Sequence, residues 1–205
     1  MNFVDALLTE AVITAPGCPE TLVERALRVA ATEFYRTSEA WRVTLDPAPV
    51  IRGRQEVELE FPAGTFPVRY FWARLAGREL TAISERRVSQ IAGTPTAYAA
   101  TNDSGVVFLN AVPQENYLRN GLVVHAAVAP TNAQADIPDS LFHVHRNGIL
   151  YGAQRSLLAM PNVPWGDMNM ALVYAQLTQQ EMLQARRNAE SRQSGVVRKT
   201  RYGGI

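Results

Sequence analysis

The side chains in this chain that could do chemistry are three histidines, one cysteine, a set of alternating glutamates and a run of aromatics. His143 and His145 lie two apart, which on a helix puts them on different faces and gives poor geometry for a shared metal. His125 sits among apolar neighbours in a strand pattern, and no HExxH or cysteine cluster accompanies any of the three. Cys18 precedes Pro19 at a helix start, where a thiol pKa can fall, but no histidine is near it in sequence. Packing is its expected role. A lone cysteine also excludes an intrachain disulfide and a thiolate metal site. There is no Gly-x-Ser-x-Gly elbow and no Gly-rich phosphate loop. Glu56, Glu58 and Glu60 alternate with Val57, Leu59 and Phe61. That alternation reads as a solvated strand face rather than a cation site or a paired-carboxylate centre. Tyr70, Phe71 and Trp72, flanked by Arg69 and Arg74, offer a base-stacking platform, against the plainer expectation of a buried strand with one wet face. These residues do not converge on catalysis, and no catalytic, cofactor or metal site is expected.

The surfaces that remain are surfaces for association. Residues 186–205 hold Arg186, Arg187, Arg192, Arg198, Lys199 and Arg201 against a single acid, Glu190. They include the only lysine of the chain. After about residue 193 the helical period stops, yet Val196, Val197, Tyr202 and Ile205 add apolar side chains that a solvated tail does not need. A basic, partly apolar segment of this kind cannot build its own core, and it reads as an arm, residues 194–205, that orders on a partner.

The elements that must position such an arm follow from the apolar pattern. The chain has 205 residues, 47% hydrophobic, with a net charge of +1, an ordinary composition for one globular domain. No apolar run approaches the roughly 20 residues of a membrane span, and the first residues lack the basic and apolar regions of a signal peptide. Charge is asymmetric: residues 1–60 hold ten acids and six arginines, whereas the last twenty residues are basic. A uniform nucleic-acid-binding face is therefore not expected, and self-assembly or docking onto a second protein is.

Helical spacing covers residues 3–13 and 19–37, returns over 138–160, and ends in a long helix over 168–192 with Asp167 as its N-cap. Between them, residues 41–130 show short alternating strands and turns, including hairpins around residues 76–79 and 102–105. Gly148 and Gly152, four apart, would let another backbone approach closely. The last helix carries a stripe of Ala171, Ala175, Thr178, Met182, Ala185 and Ala189, and a second apolar side of Met170, Val173 and Leu177. Two apolar sides imply burial on more than one face, within a bundle or against a neighbouring subunit, and Ala171, Ala175, Met182, Ala185 and Ala189 are the residues expected at a subunit contact. The expected fold is α+β: a helical bundle from the N- and C-terminal helices, residues 1–193, with a small antiparallel β unit inserted at 41–130 and an extended C-terminal arm.

Two stretches together carry a resemblance. The first is Ala15-Pro16-Gly17-Cys18-Pro19, the helix that follows it, and Trp41-Arg42-Val43-Thr44-Leu45-Asp46-Pro47. The second is Tyr151-Gly152-Ala153-Gln154-Arg155-Ser156-Leu157-Leu158-Ala159-Met160-Pro161, then Pro164-Trp165 and the long Arg/Ala/Gln helix. This order, with the Leu75–Leu80 turn, resembles the head-to-tail adaptor (upper tail connector) proteins of short-tailed bacteriophages. The resemblance implies a homo-oligomeric ring of about twelve copies, closed by heterologous contacts. The ring would be mounted on the portal protein, would receive the tail nozzle or hub, and would extend the channel through which genomic DNA passes without specific binding. It implies a virion protein at the head–tail junction, made in the host bacterial cytoplasm, with no enzyme activity, cofactor or membrane contact. It places portal binding on the C-terminal helix and tail: Arg186, Arg187, Arg192, Val196, Val197, Arg198, Lys199, Arg201, Tyr202 and Ile205. The alternatives are a head-completion or baseplate protein of another tailed phage, a nucleic-acid-binding protein using the arginine tail, and an enzyme.

Overall fold

The computed structural model describes residues 3–102, 104–132 and 137–194. Four helices frame the described chain: α1 (Phe3–Thr14), α2 (Glu20–Ser38), α3 (Asp139–Leu158) and α4 (Met168–Ser194). Eight strands lie between α2 and α3: β1 (Arg42–Thr44), β2 (Ala48–Val50), β3 (Glu56–Glu58), β4 (Thr65–Leu75), β5 (Arg78–Ala82), β6 (Ala97–Ala100), β7 (Val106–Leu109) and β8 (Tyr117–Pro130).

The expectation of a helical bundle with one small inserted antiparallel unit is overturned. All eight strands join one curled sheet, a half-barrel, in the order β1-β8-β4-β5-β6-β7-β3, with β2 also pairing β8. The sheet is mixed, because β5 and β6 run parallel. The physical reason lies in β8. Its 14 residues are long enough to pair with β4 on one side and with β1 and β2 in succession on the other. This makes the sheet a structural layer with its own interior.

Two cores result. Inside the curl, Leu45, Val50, Val57, Leu75, Leu80, Tyr98, Val107, Leu109, Leu122 and Val124 pack together. The helical core holds Leu7, Val23, Leu27, Phe34, Tyr35, Ile149, Leu157 and Met182, and it reaches the sheet through Trp41, Val128 and Ala129. Each fully buried side chain of this size stabilises the fold by about 1.5–3 kcal/mol before entropy is counted.

Local chemistry sets the helix ends. The Pro19 carbonyl accepts from the Leu22 and Val23 N–H groups to open α2. Asp167 Oδ1 accepts from the Asn169 and Met170 N–H groups at 3.0 and 3.1 Å, capping α4. Glu39 ends α2 in the left-handed region (φ 52°), its N–H donating to the Tyr35 carbonyl.

Gly148 and Gly152 bring α3 against α2 and α4. A Cβ at Gly148 would lie 2.3 Å from Phe34 Cε2 and 3.1 Å from Glu181 Cβ, and one at Gly152 would lie 3.1 Å from Ala30 Cβ. Phe34 is fully buried and has no room to retreat. Gly148→Ala would gain up to about 1 kcal/mol of helix propensity. Overpacking a filled core costs about 1–3 kcal/mol. We expect a net loss of roughly 1–2 kcal/mol, read as a lower urea midpoint at unchanged m-value; an unchanged or raised midpoint would show that Phe34 yields.

Candidate functional site: α4 and the outer face of the sheet

α4 packs along α3, and its small residues allow the close approach. Ala171, Thr178, Met182 and Ala185 are buried, while Ala175 and Ala189 are half-buried. Thr178 Cγ2 lies beside Gly152, and Glu181 Cβ beside Gly148. The stripe expected to meet a neighbouring subunit is thus spent largely inside the chain. The other sides of α4 are the exposed ones. Met168, Met170, Leu172, Val173 and Leu183 are between 41% and 60% accessible. Residues 168–180 carry no charge at all. The helix therefore begins as a neutral apolar rod and ends basic.

Its basic end lies against the sheet. Glu39, only 14% exposed at the side chain, takes Arg69 Nη1 at 3.1 Å and faces Arg186 Nη2 at 3.9 Å. Arg186 Nε also donates to Glu190 Oε1 one helical turn on, at 3.2 Å. Arg42 donates through Nε to the Glu39 carbonyl and through Nη1 to the Ala189 carbonyl, tying β1 to the last turns of α4. Of the residues expected to bind a portal, Arg186 stands in this network and Arg187 is exposed beside it. The Arg192 side chain and Val196, Val197, Arg198, Lys199, Arg201, Tyr202 and Ile205 lie outside the described residues.

A β-bulge builds the second half of the site. Along β4, Tyr70 opposes Ala126 and Trp72 opposes His125, leaving Phe71 as the extra residue. Tyr70 turns inward, packs on Phe61 and donates its hydroxyl to the Ser104 carbonyl. Phe71 and Trp72 both reach His125 on the outer face, with ring centroids 5.5 and 5.4 Å away; the Trp72 pair is stacked at 14°. Guanidinium groups cover these rings: Arg42 lies 4.4 Å and Arg69 5.5 Å from the Phe71 centroid, and Arg74 lies 4.7 Å from that of Trp72. The three aromatics that could have formed one stacking platform are therefore split between two faces. Strict alternation would have separated Phe71 from Trp72, and no local signal marks the bulge. The arginines at 69 and 74 were the legible hint.

Where this face meets the helices there is a cleft of about 250 Å³ lined by Ala40, Arg42, His125, Leu141, Val144, His145, Ala185, Asn188 and Ala189. His125 Nδ1 shares a hydrogen bond of 2.9 Å with Thr44 Oγ1, and its Nε2 is buried without a hydrogen-bond partner among the described residues. Burial, and then the charge of Arg42, hold this imidazole below its ordinary pKa, so it is neutral near pH 7.

The remaining chemical candidates are dispersed. His143 is exposed, whereas His145 is 7% exposed and packs against Phe34 and Tyr35. Cys18 is buried, and burial raises its pKa rather than lowering it. Glu56, Glu58 and Glu60 are exposed. Among the described residues there is no group of three or more His, Cys, Asp or Glu able to hold a metal, and no helix long and apolar enough to cross a membrane. No family model matches the chain, and no curated protein matches it either.

The depressed His125 pKa has a definite sign. As pH falls through about 6.5 the unfolded chain takes up the proton first. Stability therefore drops from there down to the lowered folded value. His125→Gln should remove that part of the drop. Urea-unfolding free energies from about pH 7.5 to 5.5 should fall less steeply in the variant than in the wild type. Equal slopes would mean that His125 titrates alike in both states.

Proposed function

We propose that the chain is a structural assembly protein, a head-to-tail adaptor that joins other copies into a ring and carries the tail nozzle or hub on a portal. The observation that carries this reading is the character of α4: 27 residues long, neutral and apolar-exposed over its first half, basic at its end. Exposed apolar side chains along one rigid helix favour a stable contact with a second molecule, because burying them removes apolar surface from water at little conformational cost. The basic end and residues 194–205 supply a separate, charge-steered contact for the portal. Separate surfaces for neighbour and portal are what a closed ring with a heterologous interface requires. The resemblance in the Ala15–Pro19 and Tyr151–Pro161 stretches points the same way. In this reading the protein performs no reaction and needs no cofactor, DNA passes without specific binding, and the protein is made in the bacterial cytoplasm and ends at the head–tail junction of the virion.

The test is mass photometry of the purified chain, alone and with a candidate portal ring. The portal peak is expected to grow by about twelve chain masses, the copy number the resemblance implies, as a closed ring adds all its subunits together. Leu172→Asp places a charge on the exposed face without touching the α3 contact. It should leave the monomer folded and abolish the added mass. An unshifted portal peak with the wild-type chain would sink the adaptor reading, and full assembly by Leu172→Asp would remove α4 from the ring contact.

A further inference from the structure

We propose that the outer-face strip of Arg69, Phe71, Trp72 and Arg74, with the cleft beside it, is a docking surface for a carboxylate-bearing protein. The strip thereby extends the portal contact from α4 onto the sheet. The inference rests on the adaptor reading and names a part of the contact that sequence does not locate.

The geometry first makes the strip one surface with α4. Arg69 and Arg186 share the Glu39 carboxylate, and Arg42 bridges Phe71 to the Ala189 carbonyl. Arg69 and Arg74 are each 51% exposed at the side chain even while they cover aromatic rings. A guanidinium stacked on a ring keeps its in-plane N–H groups free to point outward. The ring also fixes its orientation, so less entropy is lost when a carboxylate is gripped. The adjoining cleft is walled by Ala40, Leu141, Val144, Ala185 and Ala189, and it is large enough for an apolar side chain. Trp and Arg beside a cleft with an apolar wall are the composition of an interface hot spot.

Charge selects the partner. Arg42, Arg69, Arg74, Arg186 and Arg187 stand among Glu39, Glu79 and Glu190, so the face is cationic but interspersed with acid. A mixed face suits a protein surface that is itself mixed. A duplex backbone, a uniform polyanion, would meet three carboxylates there. The aromatic rings that would stack a base already lie against guanidinium and imidazole groups.

The experiment measures binding of the full chain to a purified candidate portal ring, with Arg74→Glu, Trp72→Ala and the distant control Arg25→Glu. Urea midpoints confirm that each variant is folded. Arg74→Glu should weaken binding about tenfold or more, as reversal of a charge within a hot spot does. Trp72→Ala should weaken it in the same direction, and Arg25→Glu should leave it unchanged. Wild-type affinity in folded Arg74→Glu and Trp72→Ala overturns the inference and leaves the adaptor reading standing. No binding by the wild-type chain removes both. Tight, salt-steep binding to linear duplex DNA that disappears in Arg74→Glu overturns it in favour of nucleic acid.

Discussion

The pairing of β8 is the constraint on which the rest of the structure depends. One face of this strand sends Leu122, Val124 and Ala126 into the curl of the sheet, all fully buried. Farther along, Val128 and Ala129 enter the helical core instead. The two cores therefore share a backbone, and neither can shift register without the other, since a one-residue slip would exchange inward and outward sets along the whole strand. The small side chain of Ala129 is as necessary as the hydrogen bonds. α2 packs against this end of β8, and Thr32 Oγ1 donates to the Pro130 carbonyl at 2.9 Å. Larger residues there would hold the helices off the sheet and open the junction at which the cleft and the arginine strip meet.

That junction is shaped by a second departure from regularity, the bulge at Phe71, one of two register shifts in β4. An unbulged strand would pair with β8 equally well but would present either Phe71 or Trp72 outward, not both. With the extra residue, Tyr70 still fills the interior and reaches Ser104, while both neighbours cover His125. Covering His125 is what desolvates it, and desolvation next to Arg42 is what keeps it neutral. The shared cover of Phe71 and Trp72 over His125, and with it the lowered histidine pKa, thus follow from this inserted residue.

The helices were legible in sequence because a helix is specified by its own apolar stripe, and the stripes of residues 19–37 and 138–160 coincide with α2 and α3. Gly148 and Gly152 likewise announced a close approach, which α2 and α4 provide. The sheet was not legible as a whole. Each strand could be recognised by alternation, but the parallel β5–β6 pair and the long reach of β8 are non-local choices that no window of residues contains. Each short strand, seen alone, is compatible with a minor insertion, and only the pairing makes them one layer. The alanine stripe of α4 shows a different limit. Ala171 and Ala185 are equally suited to packing on α3 or on another subunit, and sequence alone does not say which partner comes first. In the aromatic run, the shared outward face of Phe71 and Trp72 depends on a bulge that leaves no mark in the sequence.

Glu39 shows how the two kinds of force divide the work at the end of α4. Its left-handed backbone turns the chain out of α2 so that its carbonyl meets Arg42 and its carboxylate meets Arg69 and Arg186. One residue thereby links α2, β1, β4 and α4. Yet Arg69 and Arg186 are 51% and 42% exposed, and half-solvated pairs of this sort contribute only about 0.2–1 kcal/mol each. The burial of Met182 and Ala185 under α3 contributes more and is insensitive to salt. Packing therefore positions α4, and the ion pairs bias the direction in which its arginines point. An arginine held by a weak pair can exchange Glu39 for an external carboxylate at little net cost. An arginine locked in a dry, bidentate pair could not. The partial exposure of the network is for this reason the property that would suit it to a second partner at the seam between helix and sheet.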